Sequence, residues 1–561
     1  MPTRREFLQQ SAAAAGVSLV GPLSLDHEPT AFQGAASRSF IDLHRQPDSV
    51  SVQLTPTNER ALHLGASGRW EDAGVSVTIT PAADATRVAL EAPSTPVRKL
   101  RLRWRGRIDD VRLILGDAWE RGYGDLEWRG FVPDRVMPWY FACWDDGAAT
   151  HAYGVRTGAN AFCYWDVDPQ GITLWADVRS GGAGVELGQR RLSVCEIVAR
   201  QGQRQESAFA ALHAFCRRMC TNPRLPSAPV YGHNDWYWAY GKNSAETVLA
   251  DARHIVDLSP AGANRPFVVI DDGWQPERGQ AKTGVGTWDR GNEKFPDMPG
   301  LAAAIRQLGA QPGIWIRPLL AGADTPASQR LARDRAILDP TVPGVRQKIA
   351  GDIARLRGWG FQLIKHDYST FDIFGRWGST MGDTMTRDGW TFAGGPTRTT
   401  AEVISDLYQA IRTAAGDALV IGCNTVSHLS AGVFEICRVG DDTSGREWAR
   451  TRKMGVNTLA FRGAQHGAFY VADPDCVGVT TAIPWTLNRQ WLDLLARSGT
   501  MLFVSIAPDA LGVEERRDLQ AALALAARPQ PLGEPLDWQQ SSWPRRWKLM
   551  GADVNYNWIP D

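Results

Sequence analysis

The chain has 561 residues, more than one ordinary domain holds, so two or three folding units around a large buried core are expected. Apolar residues make up 43% and charged residues 22%, a globular balance that excludes wholesale disorder and a membrane-embedded body. Lys plus Arg (61) equals Asp plus Glu (61), so no net field gathers nucleic acid or an anionic membrane, and the expected partner is uncharged.

The first element in the chain is a targeting segment. Thr3-Arg4-Arg5-Glu6-Phe7-Leu8, followed by the small and apolar run Ser11 to Leu23, has the layout of a twin-arginine export signal. The run is shorter than the roughly 20 residues that cross a bilayer, so no membrane span is expected. Residues 1–36 are therefore set apart from the fold, and the mature protein is expected in the periplasm or outside the cell.

From about Ser37 to Val198, within an amino-terminal domain placed at 37–222, the sequence alternates with period two, as in Val50-Ser51-Val52-Gln53-Leu54, Val75-Ser76-Val77-Thr78-Ile79 and Lys99-Leu100-Arg101-Leu102-Arg103-Trp104. Such runs, parted by Gly, Asp and Pro turns, predict an antiparallel β-sandwich. A helix from Ser207 to Arg218 leads into the linker Pro223 to Pro226.

Beyond Ala228 short β-rich runs alternate with helical periods. Strands are predicted at Val230–Asp235, Phe267–Asp271, Gly313–Pro318, Leu363–Asp367, Leu419–Asn424, Glu435–Gly440, Ala468–Ala472 and Met501–Ile506, and eight such units predict a (β/α)8 barrel over 228–527. Residues 528–561 are left as a short carboxyl-terminal β extension. Eight cysteines are scattered thinly, which predicts core thiols; the Cys216 and Cys220 pair lacks the partners of a zinc site.

The polar residues that matter stand at strand ends: Asp271-Asp272, Lys365 and Asp367, Cys423-Asn424, Asp441-Asp442, and Asp473 with Asp475. In a barrel these ends share the face where active sites sit. A single Asp after a strand is commonly just a helix cap, but the clustering at five strand ends favours a cleft. The 23 Trp residues suit sugar binding, since an indole covers the apolar face of a pyranose, although core packing explains most of them.

Two carboxyl groups hydrolyse a glycoside by double displacement when one attacks the anomeric carbon and the other protonates the leaving oxygen. Asp367 is the candidate nucleophile, because Lys365 projects to the same side of its strand and its ammonium would keep the carboxylate ionised. Asp441 and Asp442 are adjacent carboxylates, so one should carry a raised pKa suited to the acid; spacing does not choose between them. His366 alternates to the opposite face and is expected to be a packed, hydrogen-bonded histidine, whereas His233 and Asn234 could equally line the pocket or serve a turn.

Asp271-Asp272-Gly273-Trp274, Gly313-Ile314-Trp315-Ile316, Lys365-x-Asp367, Gly422-Cys423, Arg438-x-x-x-Asp442 and Asp473-Pro474-Asp475-Cys476 occur in the order found in glycoside hydrolase family 36. The chain resembles the α-galactosidases of that family, in clan D, and also its raffinose synthase relatives. The resemblance implies Asp367 as nucleophile and, from the spacing after Arg438, Asp442 rather than Asp441 as acid/base. It implies sugar contacts from Asp271, Asp272, Trp315, Lys365, Cys423 and Arg438; no cofactor is expected, and no metal, since the acidic residues are spread over different strands without a compact ligand loop.

The expected function is then a retaining exo-glycosidase releasing terminal α-galactosyl groups from an oligosaccharide or glycoconjugate. The alternatives are the same mechanism on another glycoside, galactosyl transfer to an acceptor sugar, and a non-catalytic carbohydrate-binding barrel. Tyr368-Ser369-Thr370-Phe371 departs from the common family pattern, as do the Gly-rich loop Trp377 to Pro396 and the short carboxyl terminus. Oligomeric state is left open.

Overall fold

Alternation of branched or aromatic residues with polar ones gives each early strand one face to bury. Thus Val50 and Val52 in Ser49–Thr55, and Val75, Val77 and Ile79 in Val75–Pro81, point inward. Register then aligns these faces: Leu62 pairs with Val50, Val50 with Leu102 and Leu102 with Leu174, a buried apolar row across four strands. The computed structural model describes residues 40–276 and 286–559; the expected twin-arginine signal at 1–36 lies outside the described residues.

The predicted early strands join in one antiparallel hydrogen-bonded order of 13 strands from Ser49 to Arg200. Within it Asn58–Leu64 pairs along most of its length with Ser49–Thr55 and only through His63 and Leu64 with Arg69–Asp72. The helix Ala208–Met219, capped by Ser207, follows it.

The second sheet has nine strands, all in parallel pairs, in the order Val471–Asp473, Ile436–Arg438, Leu419–Gly422, Leu363–His366, Gln311–Ile316, Phe267–Ile270, Tyr231–Asn234, Leu502–Ile506, Cys476–Val479. These are the predicted runs to within a few residues, with one difference. The expected strand at Ala468–Ala472 is replaced by two short strands parted by Pro474 and Asp475, because Pro474 has no N–H for the ladder and Asp475 takes φ 75°.

Helices fill the intervals. Ala245–Leu258 and Thr400–Ala415 begin with capping boxes, Ser244 with Thr247 and Thr399 with Glu402, and bury residues at helical spacing such as Val248, Ala252 and Ile255. A three-stranded antiparallel sheet, Glu534–Pro535, Arg546–Leu549 and Ala552–Asn555, ends the chain. The eight cysteines are buried free thiols. No helix among the described residues is long and apolar enough to cross a membrane.

The two sheets meet through a buried polar contact. Arg462, fully enclosed, donates to Asp117 at 2.8 Å, to the Glu120 carbonyl at 2.7 Å and to Ser427 at 2.7 Å. Beside it Gly122 adds to the parallel sheet: its N–H donates to Val439 O at 2.8 Å and its carbonyl accepts from Asp441 N at 2.9 Å. A Cβ at Gly122 would meet Thr458 Cγ2 at 2.7 Å, so the approach requires glycine.

Removing one partner of a buried pair strands the other charge, at a cost of about 3–5 kcal/mol. Asp117→Ala is therefore expected to lower the free energy of unfolding by that amount, measured by denaturant titration. A loss under about 1 kcal/mol would mean that Arg462 is satisfied by its carbonyl and hydroxyl partners alone.

Candidate active site

Parallel register sets the levels of the cleft. Ile270, Ile314 and Ile364 are mutually in register, so Asp271, Trp315 and Lys365 come next, at one height on adjacent strands. Two residues further along each strand, hence on the same face, stand Asp367 and, on the following strands, Cys423 and Arg438, the last paired with Asp473. The predicted site residues thus gather at the carboxyl end of one parallel sheet.

Asp367 accepts from the Trp315 indole N–H at 3.0 Å through one carboxylate oxygen and from the Tyr368 backbone N–H at 2.8 Å through the other. The expected Lys365 partnership differs. Its ammonium bonds Asp271 at 2.7 Å, because that carboxylate lies at its own level whereas Asp367 lies two residues above. Burial alone would make Lys365 a weaker cation; Asp271 first, with Asp367 adding, outweighs it and holds the ammonium charged.

Asp271 is buried and accepts three hydrogen bonds: Asn234 donates to it at 2.7 Å, Lys365 at 2.7 Å and Asp272 N at 2.9 Å. Asp272 accepts from Gln275 at 2.6 Å. Beneath them Asp235 accepts from Asp271 N at 2.9 Å and from Asn243 at 2.9 Å; burial, with the Asp271 charge adding, pushes its pKa up to about 7.

On the far side, Arg438 is 2% exposed and reaches three carboxylates, Asp475 at 2.8 Å, Asp473 at 3.0 Å and Asp442 at 3.2 Å. Asp475 is a scaffold: it takes the Thr443 N–H at 2.7 Å and hydroxyl at 3.0 Å and the Tyr237 hydroxyl, and so fixes the loop behind Asp442. Burial, reinforced by Asp442 and Asp473, raises its pKa despite Arg438.

The adjacent pair separates cleanly. Asp441, 16% exposed, is clamped by Arg121 at 2.7 Å and Arg450 at 3.0 Å. Asp442, 41% exposed, has only Arg438 at 3.2 Å and Arg121 at 3.9 Å. The expectation that repulsion from Asp441 raises the pKa of the acid is corrected here. Burial does push Asp442 up, but Arg121, Arg438, Lys365 and Arg450 outweigh it and hold the carboxyl below its ordinary value. Arginines excluded from the pairwise argument decide the sign.

His233 is not a pocket residue: its Nε2 accepts from Ile506 N at 3.1 Å, and burial, aided by His254, lowers its pKa to about 3. His366 packs edge-on between Tyr408 and Phe434, each 5.6 Å away, and burial likewise keeps it neutral, at about 3; the hydrogen bond expected of it is not formed, because the aromatic rings around it leave both ring nitrogens buried without a partner. Asn424 is structural, donating to Glu120 at 2.6 Å and accepting from Phe371 N at 3.0 Å. Cys423 is a buried thiol beside Lys365 and Arg438, raised by burial in spite of the Arg438 charge.

The residues that sequence reasoning missed are Glu120 and Arg121, delivered by the antiparallel sheet. Their signal was the glycine-spaced charged and aromatic stretch Glu120-Arg121-Gly122-Tyr123-Gly124, which fits neither strand nor helix period.

The described residues thus define a large antiparallel sheet joined to a parallel sheet whose carboxyl ends collect carboxylates, two buried cations and a tryptophan, the architecture seen in α-galactosidases. A Thermus thermophilus α-galactosidase solved with p-nitrophenyl α-D-galactopyranoside superposes with a TM-score of 0.58 at 18% identity, covering 86% of this chain and 97% of that one. The glycoside hydrolase family 36 α-galactosidase AgaA of Geobacillus stearothermophilus superposes at 0.55 and 16%, covering 83% of this chain and 69% of that one. In sequence, 86 residues are 33% identical to AgaA, a stretch that spans 15% of this chain and 11% of the relative. No family model matches the chain. The resemblance read from the motifs is therefore borne out in the fold.

The clamp on Asp441 predicts an asymmetry in stability. Asp441→Ala unpairs two guanidinium groups and should cost about 1.5–3 kcal/mol, since hydrogen bonds to charged groups are involved. Asp442→Ala, half exposed, should cost less than about 1 kcal/mol. Denaturant midpoints of the two variants check this; equal losses would contradict it.

Proposed function

We propose that the chain is a retaining glycosidase that releases terminal α-galactosyl groups, with Asp367 as nucleophile and Asp442 as acid/base. The observation that carries the reading is the contrast between the two carboxylates. Asp367 is oriented by Trp315 and its own backbone, whereas Asp442 is the partly exposed acid of a pair whose other member is fully clamped.

Asp367 attacks the anomeric carbon, the bond to the leaving oxygen breaks, and Asp442 gives that oxygen its proton. A glycosyl ester on Asp367 results. Esterification abolishes the Asp367 charge, which removes a like charge near Asp442 and makes it more acidic. The Asp442 carboxylate then takes a proton from water as the water oxygen attacks the anomeric carbon and Asp367 departs. Asp271 and Asp272 would accept sugar hydroxyls and Trp315 would floor the pocket, with Lys365, Cys423 and Arg438 around it.

We also read the parallel sheet as a closed (β/α)8 barrel in which Val471 to Val479 is a single strand broken at Pro474. Support comes from the chain continuity of the two end strands and from Met501 N donating to Ala472 O at 3.5 Å, across the break. The substrate is an oligosaccharide or glycoconjugate, met after export through the twin-arginine segment to the periplasm or beyond.

Asp367→Ala should lower the turnover of p-nitrophenyl α-galactoside by about 10⁴-fold or more, and a fluorinated galactoside that traps the glycosyl-enzyme should label Asp367 on peptide mapping. Labelling elsewhere, or unchanged release, would overturn the assignment. Wild type that binds galactosides without releasing sugar would leave a binding barrel, and product built on an added acceptor sugar would make transfer the main reaction.

The pH profile carries a second expectation. Asp442 must be protonated in the free enzyme, so kcat/KM falls as pH rises through its pKa. Arg121 lowers that pKa; Arg121→Leu removes a positive charge, raises it, and should move the alkaline limb to higher pH. A limb that stays in place or moves to lower pH would separate Arg121 from the acid.

A further inference from the structure

The residue after the proposed nucleophile is the outlier of the cleft. Tyr368 holds φ 65°, a left-handed conformation that a bulky side chain adopts only when its surroundings impose it. Here they do: Asp367 accepts the Tyr368 N–H at 2.8 Å, and the Arg317 guanidinium, paired to Asp372 at 2.6 Å, lies 4.5 Å from the centre of the tyrosine ring. The result is an aromatic ring held at the mouth rather than in the core.

Two more rings continue the wall. Phe371 packs 4.4 Å from Trp377, and Tyr368 lies 5.7 Å from the same indole. The Arg121 guanidinium caps the far end, 5.2 Å from the Trp377 ring and 3.9 Å from Asp442. Glu120 fixes the loop, accepting from Gly378 N at 2.9 Å. Tyr368, Phe371 and Trp377 stay partly exposed, so the rings are open to a ligand, and Tyr368 adjoins Asp367 directly in sequence.

Its position gives its purpose. The wall runs from Asp367 to the arginine beside Asp442, and the group that leaves is the one standing next to the acid. We propose that Tyr368 and Trp377, backed by Phe371 and Arg121, form the leaving-group subsite and take a pyranose ring, the apolar face against Trp377 and a hydroxyl on the Tyr368 hydroxyl. Aromatic faces cover the C–H side of a pyranose while their O–H and N–H groups bond its hydroxyls. This deepens the glycosidase reading and rests on it.

The test compares three substrates that share one galactosyl group: an α-galactosyl-(1→6)-glucose disaccharide, p-nitrophenyl α-galactoside and α-galactosyl fluoride, whose leaving group is too small to reach the wall. Trp377→Ala should lower kcat/KM for the disaccharide at least about tenfold more than for the fluoride, the scale of a lost apolar contact in a pocket. Tyr368→Phe should lower the disaccharide value relative to the aryl one, because the aryl group lacks hydroxyls. Each ratio is read on one preparation, so a poorly folded fraction cancels, and Trp377→Phe should restore part of the loss. Equal losses on all substrates would overturn the subsite, as would no loss. Wild type that turns over none of them would instead refute the glycosidase reading on which the subsite depends.

Discussion

Arg438 and Arg121 set the charge state of the cleft, and its other carboxylates find their roles around them. A buried guanidinium is kept only where acceptors surround it, since an unpaired ion in the interior costs several kcal/mol. Arg438 meets that condition by drawing in Asp473 and Asp475 from the broken strand, and what remains of its fork reaches Asp442. Arg121 does the same from the antiparallel sheet, spending its strongest contact on Asp441. Asp442 is left with longer contacts and partial exposure, the two properties that let a carboxyl exchange a proton. The break at Pro474 belongs to the same arrangement, for it turns Asp475 toward Arg438 and Thr443 instead of continuing the ladder.

Much of this was legible in the sequence. Parallel strands buried on both faces read as continuous apolar runs, and Phe267-Val268-Val269-Ile270 or Leu502-Phe503-Val504 could hardly be placed otherwise. Period two then put Lys365 and Asp367 on one face and His366 on the other, as found. What period cannot give is height across strands. Only register shows that Asp271 stands level with Lys365, so the lysine was assigned to its neighbour in sequence instead of its neighbour in space.

The pKa of Asp442 failed for a related reason. Adjacent carboxylates repel, and with nothing else nearby one would be raised, but the sign depends on charges contributed by distant segments. Arg121 is more than three hundred residues away and Arg450 lies in the following helix. The antiparallel sheet was likewise foreseen as strands but not as a contributor to the cleft. The approach at Gly122 depends on a missing side chain, and one glycine among 55 carries no signal of that kind.

At 16–18% identity the shared architecture with α-galactosidases rests on packing and register more than on residue identity. The part of the cleft that departs from the motif pattern is the stretch after Asp367, and there the parallel sheet relies on the antiparallel one. Glu120 anchors the loop at Gly378, Arg121 backs Trp377, and the Arg462 to Asp117 pair locks both to the strand ends. The group Asp271, Trp315, Lys365 and Asp367 is therefore built by one sheet, while the surroundings of Asp442 and of Trp377 are built jointly by two. A change in the antiparallel sheet can alter the charge on Asp442 and the shape beyond it without touching Asp271, Lys365 or Trp315. On the proposed glycosidase reading, that division would separate what fixes the sugar from what fixes its leaving group, and would let the second vary while the first is held.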